Sequence, residues 1–412
     1  MSLIYDVSFD STTRVLSLLD KAGNVISSCE VPSKGDPLTL TATADNSSVE
    51  LTETGKVDNT YEVNTGSSWV PYTFGTVINL NKGQSCKWRC TSHPTTFDDY
   101  TTYVQFVMTG SIEASGEVYS MLSSNLSDVT TLKGYDYAFI HLFEGCKSLI
   151  KAPELPATTL TPDCYDHMFA GCTALTKAPQ LPATTLTAFC YFNMFTGCTS
   201  LTQAPQLPAT TLAQGCYNAM FDTCTALTQA PQLPATTLAE YCYASMFKGC
   251  TALSKAPQLP ATTIASLCYN SMFYECTALT QAPQLPATTL ASACYSSMFR
   301  DCTALTKAPQ LPATTLASAC YNSMFYDCTA LTQAPQLPAT TLSSNCYGFM
   351  FQGCSKLKEV HISATETAGG ALESWLGGVS STGYFYCKPN ATIFPRNSAS
   401  GIPSGWVRLD NN

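Results

Sequence analysis

Histidine and cysteine are the residue types in this chain most able to do chemistry, and they number 4 and 21 in 412 residues. His141 and His167 occupy equivalent positions of a 26-residue period, and Asp166 lies beside the second. Stacked imidazoles beside a carboxylate are able to hold a metal ion, although such pairs are more often exposed polar residues. The chain has no HExxH string, no glycine-rich phosphate loop and no Ser/His/Asp order. We therefore predict no catalytic residue, no cofactor and no metal.

Seventeen of the cysteines recur at two positions of the same 26-residue lattice, represented by Cys164 and Cys172. Consecutive lattice cysteines lie much farther apart in the chain than the CxxC pairs that are typical of zinc sites. A ladder of small buried side chains and a disulfide framework both fit this placement. We favour a reduced ladder, since the odd total leaves at least one thiol unpaired.

The elements that position these residues form a tandem repeat. Eight copies of the string APxLPAT follow one another at a constant 26-residue interval, from Ala152 to Ala334. A Met-Phe pair followed three residues later by Cys keeps the same interval, and Leu142-Phe143 is its atypical first copy. Because no copy contains an insertion, the chain predicts nine turns stacked in one fixed geometry.

One unit predicts a short strand followed by a short helix. Leu316, Cys320 and Met324 lie at i, i+4 and i+8, which is typical of the apolar stripe of a helix. Pro309 and Pro312 cannot donate to a sheet, so we expect a strand of about three residues before them. The repeat therefore predicts an α/β solenoid of the leucine-rich-repeat kind.

The motif of Met-Phe, two residues, then CTALT and LP closely resembles the BspA-like leucine-rich repeat, the 26-residue repeat of bacterial surface proteins. The resemblance covers residues 135–357. It implies an extracellular adhesion or recognition protein of Bacteroidales, or a tail or fibre protein of the phages that infect gut Bacteroidales.

The rest of the chain predicts β domains and caps. Residues 1–35 indicate a small β attachment unit built on a hairpin, and residues 36–118 an immunoglobulin-like β-sandwich. Residues 119–134 are expected to form a linker and N-terminal cap. The solenoid follows at 135–357, and residues 358–412 are expected to form a C-terminal cap.

Charge and hydropathy exclude several classes of partner. Charged residues make up 12% of the chain, the formal net charge is −9, and no Lys/Arg cluster is present. Nucleic-acid binding needs a concentrated basic face, so no nucleic-acid partner is predicted. We see no signal peptide and no apolar run of about 20 residues, so no membrane insertion is expected.

Two strips of the repeat are candidate binding surfaces. Positions that vary between units should face solvent, and they include side chains that anchor interfaces or stack on sugars: Phe189, Tyr241, Tyr274, Tyr326 and Arg300. A polar column beside the strand is able to bind a glycan by hydrogen bonds or simply to keep an edge soluble: Lys177, Gln203, Gln229, Lys255 and Lys307.

These features favour a non-enzymatic recognition protein, and a phage tail or fibre-type virion protein is the leading hypothesis. In this hypothesis residues 1–118 bind other virion proteins, and the solenoid binds a bacterial surface polysaccharide or protein. A bacterial cell-surface or secreted adhesin is the alternative, and an intracellular interaction scaffold is the third hypothesis. A homo-oligomer is left open, although no coiled-coil heptads enforce one.

Overall fold

The computed structural model describes strand residues 6–10, 15–19 and 25–30, and then residues 35–92, 100–126 and 128–410. The first three strands, β1 (Asp6–Asp10), β2 (Val15–Leu19) and β3 (Val25–Glu30), form one antiparallel sheet in chain order. The N-terminal β region is therefore present as predicted.

Residues 39–115 form two further sheets that share a core. Their strands are β4 (Thr39–Ala42), β5 (Ser47–Thr54), β6 (Thr60–Asn64), β7 (Val70–Pro71), β8 (Ile78–Leu80), β9 (Ser85–Ser92), β10 (Tyr103–Thr109) and β11 (Ile112–Ser115). A 3-10 helix follows at Val118–Met121. One sheet has the order β10-β5-β8 and the other includes β11-β4-β9-β6-β7. Trp88 on β9 meets Phe106 on β10 edge-on, with ring centroids 5.2 Å apart. Whether the topology is immunoglobulin-like stays a prediction.

The second sheet continues directly into the solenoid. Strand β12 (Leu149–Lys151), in the first repeat, pairs in parallel with β11. The Ile112 amide donates to the Ser148 carbonyl at 2.8 Å. The Phe106 ring stacks on Phe143, the first ring of the repeat column, at 5.2 Å. Strands β10 and β11 therefore cover the apolar end of the stack, which a solenoid needs to bury.

The predicted helix of each unit is absent from residues 128–410, so the α/β character is not confirmed and the stack is a β-solenoid. A series of tight turns takes the place of the helix. Every fourth residue has a positive φ, as at Asp163 (54°), His167 (53°) and Gly171 (72°). Alternate backbone amides donate to the next turn, for example Phe169 N to Met194 O at 2.9 Å. We call this segment, residues 162–172 and the equivalents in every repeat, the turn-side wall.

The physical reason for the correction is the exactness of the four-residue spacing. In an α-helix four residues advance by about 400°, so positions four apart drift round the axis by about 40° at each step. Leu160, Cys164, Met168 and Cys172 keep a step of four without drift, and all four are buried. Such a stripe fits a turn that repeats every four residues better than a helix.

The core of the solenoid consists of columns of identical side chains. Successive phenylalanines of the Met-Phe pairs stack with centroids 5.5 to 5.7 Å apart and nearly parallel planes. A second column of tyrosines stacks beside them, from Tyr165 to Tyr347. Trp375 contacts the last ring of both columns, Tyr347 and Phe351, and is fully buried. One indole thus joins both columns, and Phe394 stacks on the same indole with ring centroids 6.4 Å apart.

The solenoid continues beyond the last regular repeat with shorter turns. The last regular repeat contains β13 (Gln336–Leu337) and β14 (Thr341–Leu342). The continuation contains β15 (Glu359–Ile362), β16 (Glu366–Thr367), β17 (Gly383–Cys387) and β18 (Trp406–Asp410). Parallel pairing gives one sheet of order β13-β15-β17-β18 and a two-stranded sheet of β14 and β16.

The positive φ angles of the turn-side wall lead to a stability prediction. Ala319 has a φ of 53°, whereas Ala317, two residues earlier, does not have a positive φ. A left-handed conformation costs an L-residue about 1–2 kcal/mol, and glycine avoids that cost but loses about 0.5–1 kcal/mol of chain entropy. We expect Ala319→Gly to leave stability unchanged or raise it by up to about 1 kcal/mol, and Ala317→Gly to lower it by about 0.5–1 kcal/mol. Urea unfolding of the two variants checks this order, and equal losses would contradict it.

Candidate functional site

On the strand side of the solenoid, each repeat has an extended segment in which exposed and buried side chains alternate. In the segment 180–184, Gln180, Pro182 and Thr184 are exposed, whereas Leu181 and Ala183 are buried. The alternation places the three exposed side chains on one side of an extended backbone. We call the columns formed by these three residues and their equivalents in the later repeats the strand-side face.

The Lys/Gln column predicted from the sequence borders this face. Its members are exposed, and neighbouring turns pair in parallel at this position, with Gln203 bridging Gln229 and Gln229 bridging Lys255. Lys177 and Lys307 occupy the same column. The prolines that follow cannot donate, so pairing stops here and resumes at the threonine beyond the face, as between Thr185 and Thr211.

On the turn-side wall, three of the predicted residues lie in one column. The Arg300 guanidinium carbon is 4.3 Å from the Tyr326 ring centroid and 5.4 Å from that of Tyr274. Lys248, one turn before Tyr274, places its Nζ 5.8 Å from that ring and 3.5 Å from Asp222 Oδ2. We call the column of Asp222, Lys248, Tyr274, Arg300 and Tyr326 the cation–aromatic ladder. Lys248 and Asp222 were not among the predicted binding residues, although each member lies 26 residues from the next.

Burial shapes the electrostatics of the ladder. It raises the pKa of the Asp222 carboxyl, and the Lys248 charge opposes this shift in part. Burial together with the neighbouring Asp301 charge raises the pKa of Asp327 as well. Because the cations are already paired with rings and carboxylates, little of their charge is free for a ligand.

The other two predicted aromatics, Phe189 and Tyr241, lie in a different column of the wall, two turns apart. Both are half-buried and have positive φ angles of 51° and 56°. The residue between them is Gly215, where an added Cβ would come within 2.3 Å of the Phe189 ring. The Phe189 ring therefore lies over the next turn, and the four aromatics do not form one continuous strip.

The lattice cysteines are packed inside the stack. All the cysteines from Cys86 to Cys387 are free and buried. In the second lattice column each thiol donates to a phenylalanine carbonyl, for example Cys198 Sγ to Phe169 O at 3.2 Å. Burial raises the pKa of the Cys198 thiol to about 12. Such thiols are poor nucleophiles, since the thiolate is the reactive form.

With this geometry in place, the repeat can be compared with known families. A family model of the BspA-type leucine-rich repeat region matches residues 116–254 and 269–371 in six copies. The chain belongs to the BspA-type leucine-rich repeat family. The resemblance read from the Met-Phe and CTALT motifs is thereby confirmed. No curated protein and no solved structure matches the chain.

Two further observations bear on the BspA-type solenoid as a site. Among the residues that the structure describes, none of the helical segments has the length and hydropathy needed to cross a membrane. Across the same residues, no group of three or more His, Cys, Asp or Glu side chains is arranged to hold a metal ion.

The two stacked histidines lie on the first turns of the BspA-type solenoid. The rings of His141 and His167 are 5.1 Å apart. His141 Nδ1 is 2.6 Å from Glu144 Oε2, and His167 Nδ1 pairs with the buried Asp166. Burial alone would lower the pKa of His167, but the hydrogen bond and charge of Asp166 outweigh it and raise that pKa. Each imidazole therefore has a carboxylate partner of its own.

Proposed function

We propose that this chain is a non-enzymatic recognition protein, a tail or fibre-type component of a phage virion that presents its solenoid to a bacterial surface. The observation that carries the proposal is the repetition of the same exposed side chains on successive turns of the strand-side face. Solenoids use such extended surfaces for binding. The partner is a polysaccharide or protein of the bacterial surface.

The chemistry of the repeat supports a binding role over catalysis. The lattice thiols are buried with raised pKa values, and the histidines are paired with carboxylates. A solenoid of constant units offers many equivalent contacts, which is the arrangement that multivalent binding needs.

The location on a virion rests on resemblance and on the N-terminal β region. Repeats of the BspA type resemble those of bacterial surface proteins and of gut phage tail proteins. The β-sandwich is joined to the solenoid by strand pairing and a shared aromatic column. A docking unit within residues 1–118 would therefore hold the solenoid in a defined direction.

The test is to fractionate a lysed culture on a density gradient and to locate the chain by mass spectrometry. Banding with phage particles is the expected result. Banding with outer membrane contradicts the virion location and favours the bacterial adhesin. A soluble fraction with co-purifying cytosolic proteins favours an interaction scaffold instead.

A further inference from the structure

Exposed positions keep the same residue type from repeat to repeat on the strand-side face but change it on the turn-side wall. On the strand-side face, the columns keep glutamine, proline and threonine without exception from Gln180 to Thr340. On the turn-side wall, the column that contains Gln214 is also largely exposed, yet its members change: Pro162, Ala188, Gln214, Glu240, Ser266, Ser292, Ser318 and Ser344. Recent duplication of the repeat would have kept both sets alike. The constancy of the strand-side face therefore has a cause other than the age of the repeats.

Packing does not provide that cause for the glutamines and threonines. The glutamine and threonine side chains of the face point away from the core, while Leu181, Ala183 and their equivalents fill it. Within the described residues, the side-chain amides of the face's glutamine column, from Gln180 to Gln310, make no hydrogen bond to the protein. They are donors and acceptors available to a ligand.

The chemistry of the face is uniform and uncharged. Rows of amides and hydroxyls run along the axis on either side of a row of exposed proline rings. No Asp, Glu, Lys or Arg interrupts these three columns from Gln180 to Thr340, although the chain as a whole has a net charge of −9. On this side of the solenoid, lysines lie in the bordering column, at Lys151, Lys177, Lys255 and Lys307.

We infer that the strand-side face binds an extended, uncharged polysaccharide that lies along the solenoid axis. Amides and hydroxyls match sugar hydroxyls as hydrogen-bond partners, and the proline rings match the apolar faces of pyranose rings. The turns pair on both sides of the face, at the Lys/Gln column and at the threonines beyond it. Such pairing spaces the rows about 4.8 Å apart, which is comparable to the length of one sugar residue in an extended chain. The inference rests on the proposed recognition function and identifies its ligand class and face.

A repeated surface and a repeated ligand have a specific energetic consequence. Each further sugar residue that reaches another turn adds contacts without a new loss of translational freedom. Affinity should therefore increase with chain length until the ligand spans the constant part of the face.

The experiment is calorimetric titration of the full chain with cello-, laminari- and manno-oligosaccharides graded by length, and with polygalacturonate as a polyanion. We expect affinity for at least one neutral series to rise with length and to change little with salt. The variant Gln206→Ala/Gln232→Ala/Gln258→Ala removes the side-chain amides of three consecutive turns and should weaken that binding by about tenfold or more. The control Gln214→Ala/Ser292→Ala/Ser318→Ala on the turn-side wall should change it less than about twofold.

Thermal unfolding of both triple variants verifies that they are folded, since all six side chains lie outside the core. Binding of polygalacturonate alone, abolished by salt, would overturn the inference, as would equal effects of the two triple variants. No binding to any neutral series by a chain that bands with phage would overturn it too, but would leave the virion location standing. If affinity for a neutral oligosaccharide rises with its length but the chain is absent from phage particles, the strand-side face is supported as the binding surface and the proposed virion location is wrong.

Discussion

Raising the pH from 9 to 10 is expected to unfold the solenoid. Burial raises the pKa of the lattice thiols, to about 12 for Cys198 and Cys216, from an ordinary value of 9.0. A thiol whose folded pKa is raised contributes its full stability below the unfolded pKa, and this is lost as pH rises towards the folded pKa. By pH 10 each such thiol has removed about 1.4 kcal/mol in total, so roughly ten of them would offset the whole stability of an ordinary domain, about 5–15 kcal/mol.

The measurement is the free energy of urea unfolding as a function of pH. Near pH 7 the thiols should contribute almost no slope, the slope should be half-developed at pH 9, and above pH 10 the buried tyrosines add to it, because burial also raises their pKa. The variant Cys250→Ala/Cys276→Ala is the control, and near pH 10 it should reduce the slope by about 1.3 kcal/mol per pH unit for each thiol removed. An unchanged slope would show that other groups cause the alkaline loss. Because the slope is compared, a uniform loss of stability in the variant does not affect the result.

Removing one ring from the middle of the phenylalanine column is expected to break the stack in two. Phe247 is fully buried, with Phe221 and Phe273 each 5.7 Å away. Phe247→Ala leaves a cavity that two flanking rings cannot close, at a cost of about 3–5 kcal/mol. Since each turn contacts only its neighbours, the two halves should then unfold in separate steps.

Urea unfolding followed by circular dichroism tests this expectation. Phe189→Ala is the matched control, because this ring lies half-buried on the turn-side wall and should lose about 1 kcal/mol without a second step. A single sharp transition for Phe247→Ala, or equal losses for the two variants, would show that the column is not what couples the turns.

The sequence predicted the period, the core and the family, because all three depend on residues that recur once in every repeat. It did not predict the turn-side wall. A step of four apolar residues is common to a helix and to a four-residue turn, and Ala319, Tyr241 and Leu267 are not residue types that indicate a left-handed backbone. Hydrogen bonds between turns impose that conformation, and they are tertiary interactions.

The junction between the sandwich and the solenoid was not predictable from the sequence, whereas the cation–aromatic ladder was. The pairing of β11 with β12 joins a sandwich to a solenoid, and no local pattern in either strand indicates it. The ladder residues Tyr274, Arg300 and Tyr326, by contrast, can be aligned from the sequence, because their residue numbers differ by one repeat length. Phe189 and Tyr241 are separated from it by numbers that are not multiples of the period.

The turn-side wall also gives the solenoid an electrical direction. Its alternate amides all donate towards the C-terminal end, as Tyr165 N does to Cys190 O and Tyr191 N to Cys216 O. Aligned peptide dipoles add, as they do along a helix. Here the carbonyl end faces the sandwich and the amide end faces the last turn, so the partial negative charge lies at the N-terminal end of the wall. The rod is thus polarised along its length in the sense opposite to an α-helix, and it favours anions at its C-terminal end.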